Sequence, residues 1–511
     1  MLFTSKTPVL VVQNFLNSVF GLVGVYFITR YYPVAWGILS FGIGFVGVMS
    51  FLTDMGYSTA YVRYLSSGED EGSANSNYLL IKLVLGFIFA VATYGALLVW
   101  TAILHKGFEY SVEYWVVLGL IPYYFFVSMG SFPQSYHRSH MRAAKYAIPL
   151  IADAIIRNSL FIMIGVIAVL RPGFLSETTA AIFVSLAYDF SYFAYFAISY
   201  YLGRPWKFSK ISMSVIKKYT RIAVPLSLAA IIGTVNGNLD KVIVQFFWGD
   251  FATGGFYLAQ KIALILSSLG TAITTFFLPV LSRLHSEQDL KNLNSQTNEF
   301  ERLVVIFILP FVVVSLFLSY NIMRIFSAIY TPYSDILAVL SINALFVVLM
   351  VPSSSALIAK GKARSVGLLT VITLIMNIAL NLILIPRSLF GITFLSLGPL
   401  GGGVSSLIAS VFLYLSLRLS LYRTSGISFS AKTFYPAVPA AVEALFIFVF
   451  TMYINPQRIF ILLPLVVGSV LLFIGVLLLT GQMQWKDFSA FVTNLLNPFH
   501  LTNTLKSERK E

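Results

Sequence analysis

Long apolar stretches separated by short polar segments follow one another from Thr7 to Gly481. Each stretch holds about 20 residues or more, the length that a helix needs to cross the hydrocarbon core of a membrane. Backbone groups in lipid must hydrogen-bond within their own segment, and the alternating segments typical of a membrane β-barrel do not occur. The pattern therefore predicts an all-α membrane protein with fourteen spans, at residues 8–30, 35–62, 78–104, 112–135, 145–170, 178–203, 222–248, 253–282, 303–326, 336–359, 365–386, 397–422, 434–454 and 459–481.

Composition agrees with this pattern and limits the kinds of functional site that the chain can form. Hydrophobic residues make up 58% of the chain and charged residues 11%, against roughly 25% charged residues in a soluble domain. Cysteine is absent, which excludes disulfides and thiolate metal sites, and the histidines show no metal-ligand spacing. The sequence has no phosphate-binding loop, no cluster of acids and no large extramembrane loop. We therefore predict a protein that is not an enzyme and has no cofactor or metal, and we place a membrane glycosyltransferase or polymerase last among the alternatives.

The net charge of +14 is spread between the apolar stretches rather than collected in one domain, which disfavours a nucleic-acid partner. If the N-terminus lies inside, 25 Lys and Arg residues fall on the cytoplasmic side and 6 on the outer side. Such a bias is typical of the positive-inside rule. It predicts a multi-pass protein of the plasma membrane with both termini in the cytoplasm.

A weak internal likeness suggests two halves. Residues 29–37 and 244–255 each close a span with aromatic residues and open the next span with glycine. Repeats of six helices would be related by a pseudo-twofold axis along the membrane normal. We therefore predict six-helix bundles at 1–210 and 211–425, two added helices at 426–483, and a cytoplasmic tail at 484–511.

Three segments resemble a known family. They are FGLVGVYFITRYYPVAWGILSFGIGFVGVMSFLTDMGYSTAYVRY at Phe20 to Tyr64, PLSLAAIIGTVNGNLDKVIVQFFWGDFATGGFYLAQKIALIL at Pro225 to Leu266, and Ile329 to Gly403 with its NIALNLILIP motif. Their order resembles the polysaccharide-transporter branch of the multidrug, oligosaccharidyl-lipid and polysaccharide exporter superfamily, over about spans one to twelve. The resemblance implies a flippase for polyprenyl-diphosphate oligosaccharides. Fourteen spans favour this branch and the peptidoglycan lipid-precursor flippases over drug exporters, which share the fold with twelve.

Ionisable residues inside spans are the candidate substrate contacts, because each costs about 2.5 to 3.5 kcal/mol at mid-bilayer unless a cavity or partner receives it. Asp153 and Arg157 lie one turn apart on span five and can pair, either as a structural salt bridge or as a site for a diphosphate. Lys261 on span eight has no acid three or four residues away. Lys241 is the third cation within a span, and Arg30 at a span end either contacts substrate or extends to the interface.

Asp240, Asn377 and Asn381 are the candidate cation site. Their carboxylate and amide oxygens suit a hard cation such as Na⁺, and the two asparagines lie one turn apart. The resemblance to lipid-precursor flippases implies a sodium site on these helices, with Asn381 at a position where some relatives have an acid. The alternative is that the asparagines only join helices by hydrogen bonds.

These observations predict a flippase that carries diphosphate-lipid-linked oligosaccharides across the plasma membrane by alternating access, for cell-surface polysaccharide or glycoprotein assembly. A Na⁺ or H⁺ gradient is the candidate energy source. The predicted partners are the lipid-linked oligosaccharide, membrane lipids, and glycan polymerase or transferase machinery. The alternatives are a drug or cation exporter and a peptidoglycan lipid-precursor flippase.

Overall fold

The computed structural model describes residues 7–274, 277, 281, 290–389, 392–393, 395–426 and 428–483. Within these ranges the chain is almost entirely helical, and the predicted tail at 484–511 lies outside them. The α-helices are α1 (Thr7–Tyr31), α2 (Pro33–Met49), α3 (Tyr57–Ser66), α4 (Glu71–Leu98), α5 (Val112–Ser139), α6 (Ala143–Leu170), α7 (Glu177–Leu202), α8 (Met213–Thr274), α9 (Leu290–Phe326), α10 (Ser334–Ala359), α11 (Ala363–Leu384), α12 (Pro399–Ser425), α13 (Ala437–Tyr453) and α14 (Ile459–Leu479).

Short irregular elements extend or join these helices. A 3-10 turn at Ser50–Thr53 leads from α2 towards α3, and a π-helical turn at Val99–Ile103 lengthens α4. Further 3-10 turns, at Ala328–Tyr333 and Ala431–Phe434, precede α10 and α13. The strands β1 (Ser388–Leu389) and β2 (Ile392–Thr393) form a small antiparallel hairpin before α12.

The predicted all-α membrane fold is confirmed. Span two consists of α2 and α3. Span seven and residues 253–274 of span eight lie in α8, which breaks at Gly249 with φ 79° and ψ −172°. Glycine is needed there because side-chain-bearing residues rarely adopt a positive φ of this kind. Within the described residues, 11 helical segments are long and apolar enough to cross a membrane.

The chain forms two compact units, which divide at Gly254. The sequence-based division between residues 210 and 211 differs because it followed the repeat rather than the packing. The first part of α8 packs closely on α2: a β carbon on Gly44 would lie 2.8 Å from the Lys241 β carbon, and one on Gly37 would lie 2.7 Å from the Asp250 carbonyl oxygen. Span seven therefore belongs by contact to the first unit.

The first unit has an aromatic core where α3, α4 and α5 meet. The rings of Tyr61 and Tyr78 stack with centroids 4.4 Å apart, and Phe132 lies against both. The Tyr61 hydroxyl donates to Asn75 Oδ1 at 2.5 Å, so its polar end is satisfied although the ring is buried.

The second unit is built around α9. One side of α9 carries a buried cluster with α10 and α12, in which Phe277 stacks on Phe300 with centroids 4.0 Å apart. Its other side packs against α13 and α14 through Leu318, Ile447 and Phe473. The two helices predicted as additions to the repeat are thus held to this unit by apolar contacts.

Two cations that the charge count assigned to cytoplasmic segments are buried. Lys82 on α4 is fully buried and pairs with Asp54. Arg418 on α12 is 8% exposed and lies 3.5 Å from the fully buried carboxylate of Glu301 on α9. Neither of these two charges therefore counts as evidence for the predicted membrane orientation.

Candidate functional site

Arg157 and Asp153 form an ion pair one turn apart on α6. Arg157 Nη2 lies 3.2 Å from Asp153 Oδ2, and the two side chains are 17% and 4% exposed. This contact joins one guanidinium nitrogen to one carboxylate oxygen, so it does not use the two-pronged geometry of which arginine is capable. The arginine is held in place while part of its donor edge faces away from the aspartate.

Two tyrosine rings of α7 flank the same guanidinium. Its central carbon lies 4.8 Å from the Tyr188 ring centroid and 5.8 Å from that of Tyr192. Tyr123 of α5 completes the group, with its ring centroid 5.1 Å from Tyr188 and 4.7 Å from Tyr192. We call these five residues the Arg157 site. A cation over aromatic faces gains electrostatic stabilisation in a region without water.

These tyrosines were not predicted from the sequence, where Asp153 was the partner considered for Arg157. Aromatic rings on a neighbouring span are equally able to receive a guanidinium. A usable signal was present, because Tyr188 and Tyr192 lie four residues apart and hence on one face of span six. The pairing of that face with span five is a property of the tertiary structure.

Polar groups continue from the Arg157 site towards α2 and α8. The Tyr123 and Tyr124 rings are 4.4 Å apart, and the Tyr124 hydroxyl donates to the Ile43 carbonyl at 3.4 Å. A β carbon at Gly47 would lie 2.8 Å from that hydroxyl and 2.6 Å from Asn238 Oδ1. The glycine therefore lets a tyrosine and an asparagine from different helices approach the α2 backbone together.

Lys241 and Arg30 have different surroundings. Lys241 is 3% exposed, and its ammonium donates to the Gly237 carbonyl at 2.9 Å while its stem packs on Gly44. Arg30 is exposed in the last turn of α1, where a cation favours the helix dipole. Their assignment as substrate contacts stays a prediction.

Lys261 lies in the second unit, on the part of α8 that follows the Gly249 break. Its ammonium is 5.4 Å from the ring centroid of Tyr257, one turn earlier on the same helix. This ring is a local partner that the absence of an acid three or four residues away did not reveal. Lys261 as a substrate contact also stays a prediction.

The candidate cation site is divided between the units. Asp240 is 2% exposed in the first unit, while Asn377 and Asn381 are buried on α11 in the second. Asn381 Nδ2 donates to Asn377 Oδ1 at 3.1 Å, and the Asn377 amide donates to Ser406 Oγ at 3.4 Å. The Ser405 hydroxyl donates to Asn381 Oδ1. The asparagines thus join α11 to α12, and cation binding remains a prediction.

Comparison with known proteins supplies the family. A family model described as polysaccharide biosynthesis protein matches residues 3–285, which is more than half of the chain. The chain belongs to this family. The resemblance found in the sequence is thereby confirmed.

A curated relative is the capsular polysaccharide biosynthesis protein CapF of Staphylococcus aureus. It is 22% identical over 182 residues, which cover 35% of this chain and 46% of that protein. The matched segment therefore spans about half the length of the relative. The names of CapF and of the family model both refer to polysaccharide biosynthesis.

Two solved structures share the fold. An inward closed form of the lipid II flippase MurJ superposes with a TM-score of 0.70 at 18% identity, over 92% of this chain and 99% of that chain. An inward-facing multidrug resistance MATE transporter of the MOP superfamily gives a TM-score of 0.66 at 14% identity, over 80% and 95%. The chain is therefore a multi-pass membrane protein with the fold of flippases and transporters.

Proposed function

We propose that this protein is a flippase that moves diphosphate-lipid-linked oligosaccharides across the plasma membrane by alternating access. Membership in a polysaccharide biosynthesis family supports a role in glycan assembly. The observation that carries the substrate assignment is the Arg157 site, in which an arginine inside a membrane span is fixed by Asp153 and two tyrosine rings.

The chemistry of that site suits a diphosphate headgroup. A guanidinium binds phosphate oxygens through two parallel N–H groups, and such charge-assisted hydrogen bonds are about twice as strong as neutral ones. Asp153 engages one edge of Arg157 and orients it. The hydroxyl groups of the surrounding tyrosines can donate to or accept from sugar hydroxyls. The lipid tail stays in the bilayer, and no covalent bond forms or breaks.

The protein lowers the barrier against moving a charged, hydrated headgroup through hydrocarbon. It does so by offering the headgroup polar partners in place of water. Direction comes from a Na⁺ or H⁺ gradient or from consumption of the product by glycan polymerase or transferase machinery on the outer side. Both termini lie in the cytoplasm in this scheme.

Transport by the purified protein in liposomes tests the proposal. The probe is a polyprenyl diphosphate carrying a fluorescent oligosaccharide, and the readout is protection of the label from a quencher that cannot cross the membrane. We expect flipping of this lipid and much slower flipping of its monophosphate analogue, with empty liposomes as the control. Transport of cationic drugs without flipping of the lipid would overturn the proposal in favour of the exporter alternative. If the protein flips a lipid with a peptidoglycan-precursor headgroup faster than the oligosaccharide lipid, the peptidoglycan precursor becomes the proposed substrate.

A further inference from the structure

Two buried carboxyl groups meet in the first unit, at the end that the charge distribution predicts to face outward. Glu113 lies in the first turn of α5, and Asp250 follows the Gly249 break in α8; each is 1% exposed. Gln245 Nε2 donates to Asp250 Oδ1 at 2.7 Å and reaches Glu113 Oε2 at 3.4 Å. The two carboxyl groups are themselves within hydrogen-bonding reach of each other. We call Glu113 and Asp250 the carboxyl pair.

The nearby cation does not neutralise this pair. The Lys106 ammonium donates to the Phe246 carbonyl at 2.9 Å and lies 4.3 Å from the centroid of the Phe246 ring. Among the residues that the structure describes, Lys106 forms no ion pair with Glu109 or with either member of the carboxyl pair. The pair therefore receives hydrogen bonds from the Gln245 amide and the Tyr110 backbone N–H, and no cation among the described residues pairs with it within 4 Å.

Other charged groups make the surroundings more negative. Glu109 Oε2 accepts from the Asp250 backbone N–H at 3.1 Å, and Glu177 of α7 accepts from the Ala35 N–H at 3.0 Å. Burial, together with these acids, raises the pKa of Tyr110 above its ordinary value. An additional negative charge on the pair is consequently disfavoured, both by burial and by repulsion.

The pair also has unused acceptors and an adjoining cavity. Asp250 Oδ2 and Gln245 Oε1 are buried, and no hydrogen-bond donor among the described residues reaches them. A cavity of about 240 Å³ adjoins Glu113 and Gln245, and its lining also includes Trp100, Lys106, Glu109 and Gly249. Water in such a cavity provides a path for a proton.

We propose that the carboxyl pair binds one proton, taken up through this cavity, and is a proton-coupling site of the transporter. The coupling role rests on the proposed flippase function. Ionisation of both carboxyl groups is strongly disfavoured in a buried site, whereas one proton between them lets one carboxyl group donate to the other. The pair then titrates as a unit.

The position of the pair gives the proton a mechanical effect. Asp250 directly follows Gly249, the non-helical residue within α8, and its carbonyl lies against Gly37 of α2. Trp36 Nε1 of α2 donates to the Gly254 carbonyl at 3.1 Å, where the chain leaves the first unit. Loss of the proton places two like charges beside this break, so α8 bends differently in the protonated and deprotonated states.

Flipping driven by a pH gradient tests the coupling. In liposomes carrying the fluorescent polyprenyl diphosphate, acid on the side of the Lys106 loop should accelerate flipping by the wild type. Glu113→Gln and Asp250→Asn should still flip the lipid without a gradient but lose the acceleration. The matched control is Glu69→Gln, which removes an exposed acid that pairs with Lys218 and should keep the acceleration.

An infrared titration of the purified protein tests proton binding without any substrate. The spectrum of the wild type minus that of a Glu113→Gln/Asp250→Asn double variant should contain the carbonyl band of a protonated carboxyl group, which disappears as pH rises. Taking the difference removes the signals of other buried acids such as Asp189 and Glu443. Absence of that band from the difference spectrum overturns the proton site even if flipping is observed. Flipping by the wild type that ignores the gradient overturns the coupling role and leaves the flippase proposal intact. Failure to flip the lipid under any condition overturns the flippase proposal, while the infrared band still decides whether the pair holds a proton.

Discussion

The ammonium of Lys82 lies 2.5 Å from Asp54 Oδ1 and also donates to the Thr53 carbonyl at 3.0 Å. The lysine side chain is 1% exposed and the aspartate 33% exposed, so the pair joins a fully buried cation to the turn between α2 and α3. Removing one partner from such a pair leaves the other charge without a counter-ion. The resulting loss of stability depends on whether water can reach the remaining charge.

This asymmetry predicts that Asp54→Asn destabilises the protein more than Lys82→Met does. Asp54→Asn leaves a buried ammonium without its counter-ion and should cost about 2–3 kcal/mol. Lys82→Met leaves a carboxylate that is already partly solvated. Thermal unfolding in one detergent measures both variants, with Glu69→Gln as the exposed-pair control. Equal losses from the two variants would show that the burial difference has no energetic consequence.

Arg157→Ala should leave the protein folded while flipping of the lipid-linked oligosaccharide falls. Loss of one charge-assisted contact to phosphate is worth about 1.5 to 3 kcal/mol, or roughly ten- to a hundredfold in affinity. Arg157→Lys should retain part of the activity, because the charge survives and the two-pronged contact does not. Lys261→Ala is expected to behave like Arg157→Ala.

The matched control for Arg157 is Arg171→Ala, an exposed arginine after α6 that lies near Phe174. It removes the same charge outside the Arg157 site and should flip lipid at the wild-type rate. In cells, Arg157→Ala and Lys261→Ala should each cause lipid-linked oligosaccharide to accumulate on the cytoplasmic leaflet. If both of these variants flip lipid at the wild-type rate, Arg157 and Lys261 have structural roles only.

The membrane orientation can be tested at two loops. His105 follows the π-helical end of α4, and Arg138 lies in the last turn of α5, so one span separates them. Reporter fusions at His105 and Arg138 should therefore report the outside and the cytoplasm respectively. The same compartment for both would contradict the assignment of span four.

Sodium dependence tests the candidate cation site. If Asp240, Asn377 and Asn381 bind Na⁺ during the transport cycle, replacing Na⁺ with a bulky organic cation should reduce flipping by the wild type. Asn381→Ala should reduce the Na⁺ dependence as well. Unchanged flipping without Na⁺ would leave the asparagines with only their observed role in joining α11 to α12.

The helices could be predicted from sequence because membrane spans are determined almost locally. An apolar stretch of about 20 residues must form a helix in lipid whatever its neighbours are, since only that structure satisfies its backbone. The contact between Asp153 and Arg157 is equally local, because residues four apart share a helix face. The order of motifs between Phe20 and Gly403 was enough to indicate the family.

Contacts between helices required the tertiary structure. The tyrosines around Arg157 come from neighbouring helices, and Gln245 reaches Glu113 across 132 positions of the chain. The division at Gly254 likewise depends on how α8 packs against α2. Such contacts cannot be predicted from the spacing of residues. The pattern along one helix indicates which of its faces is polar, but not which other helix packs against that face. The sequence alone therefore determined the spans and the family, and packing between helices decided which charges find partners and where two acids share a buried site.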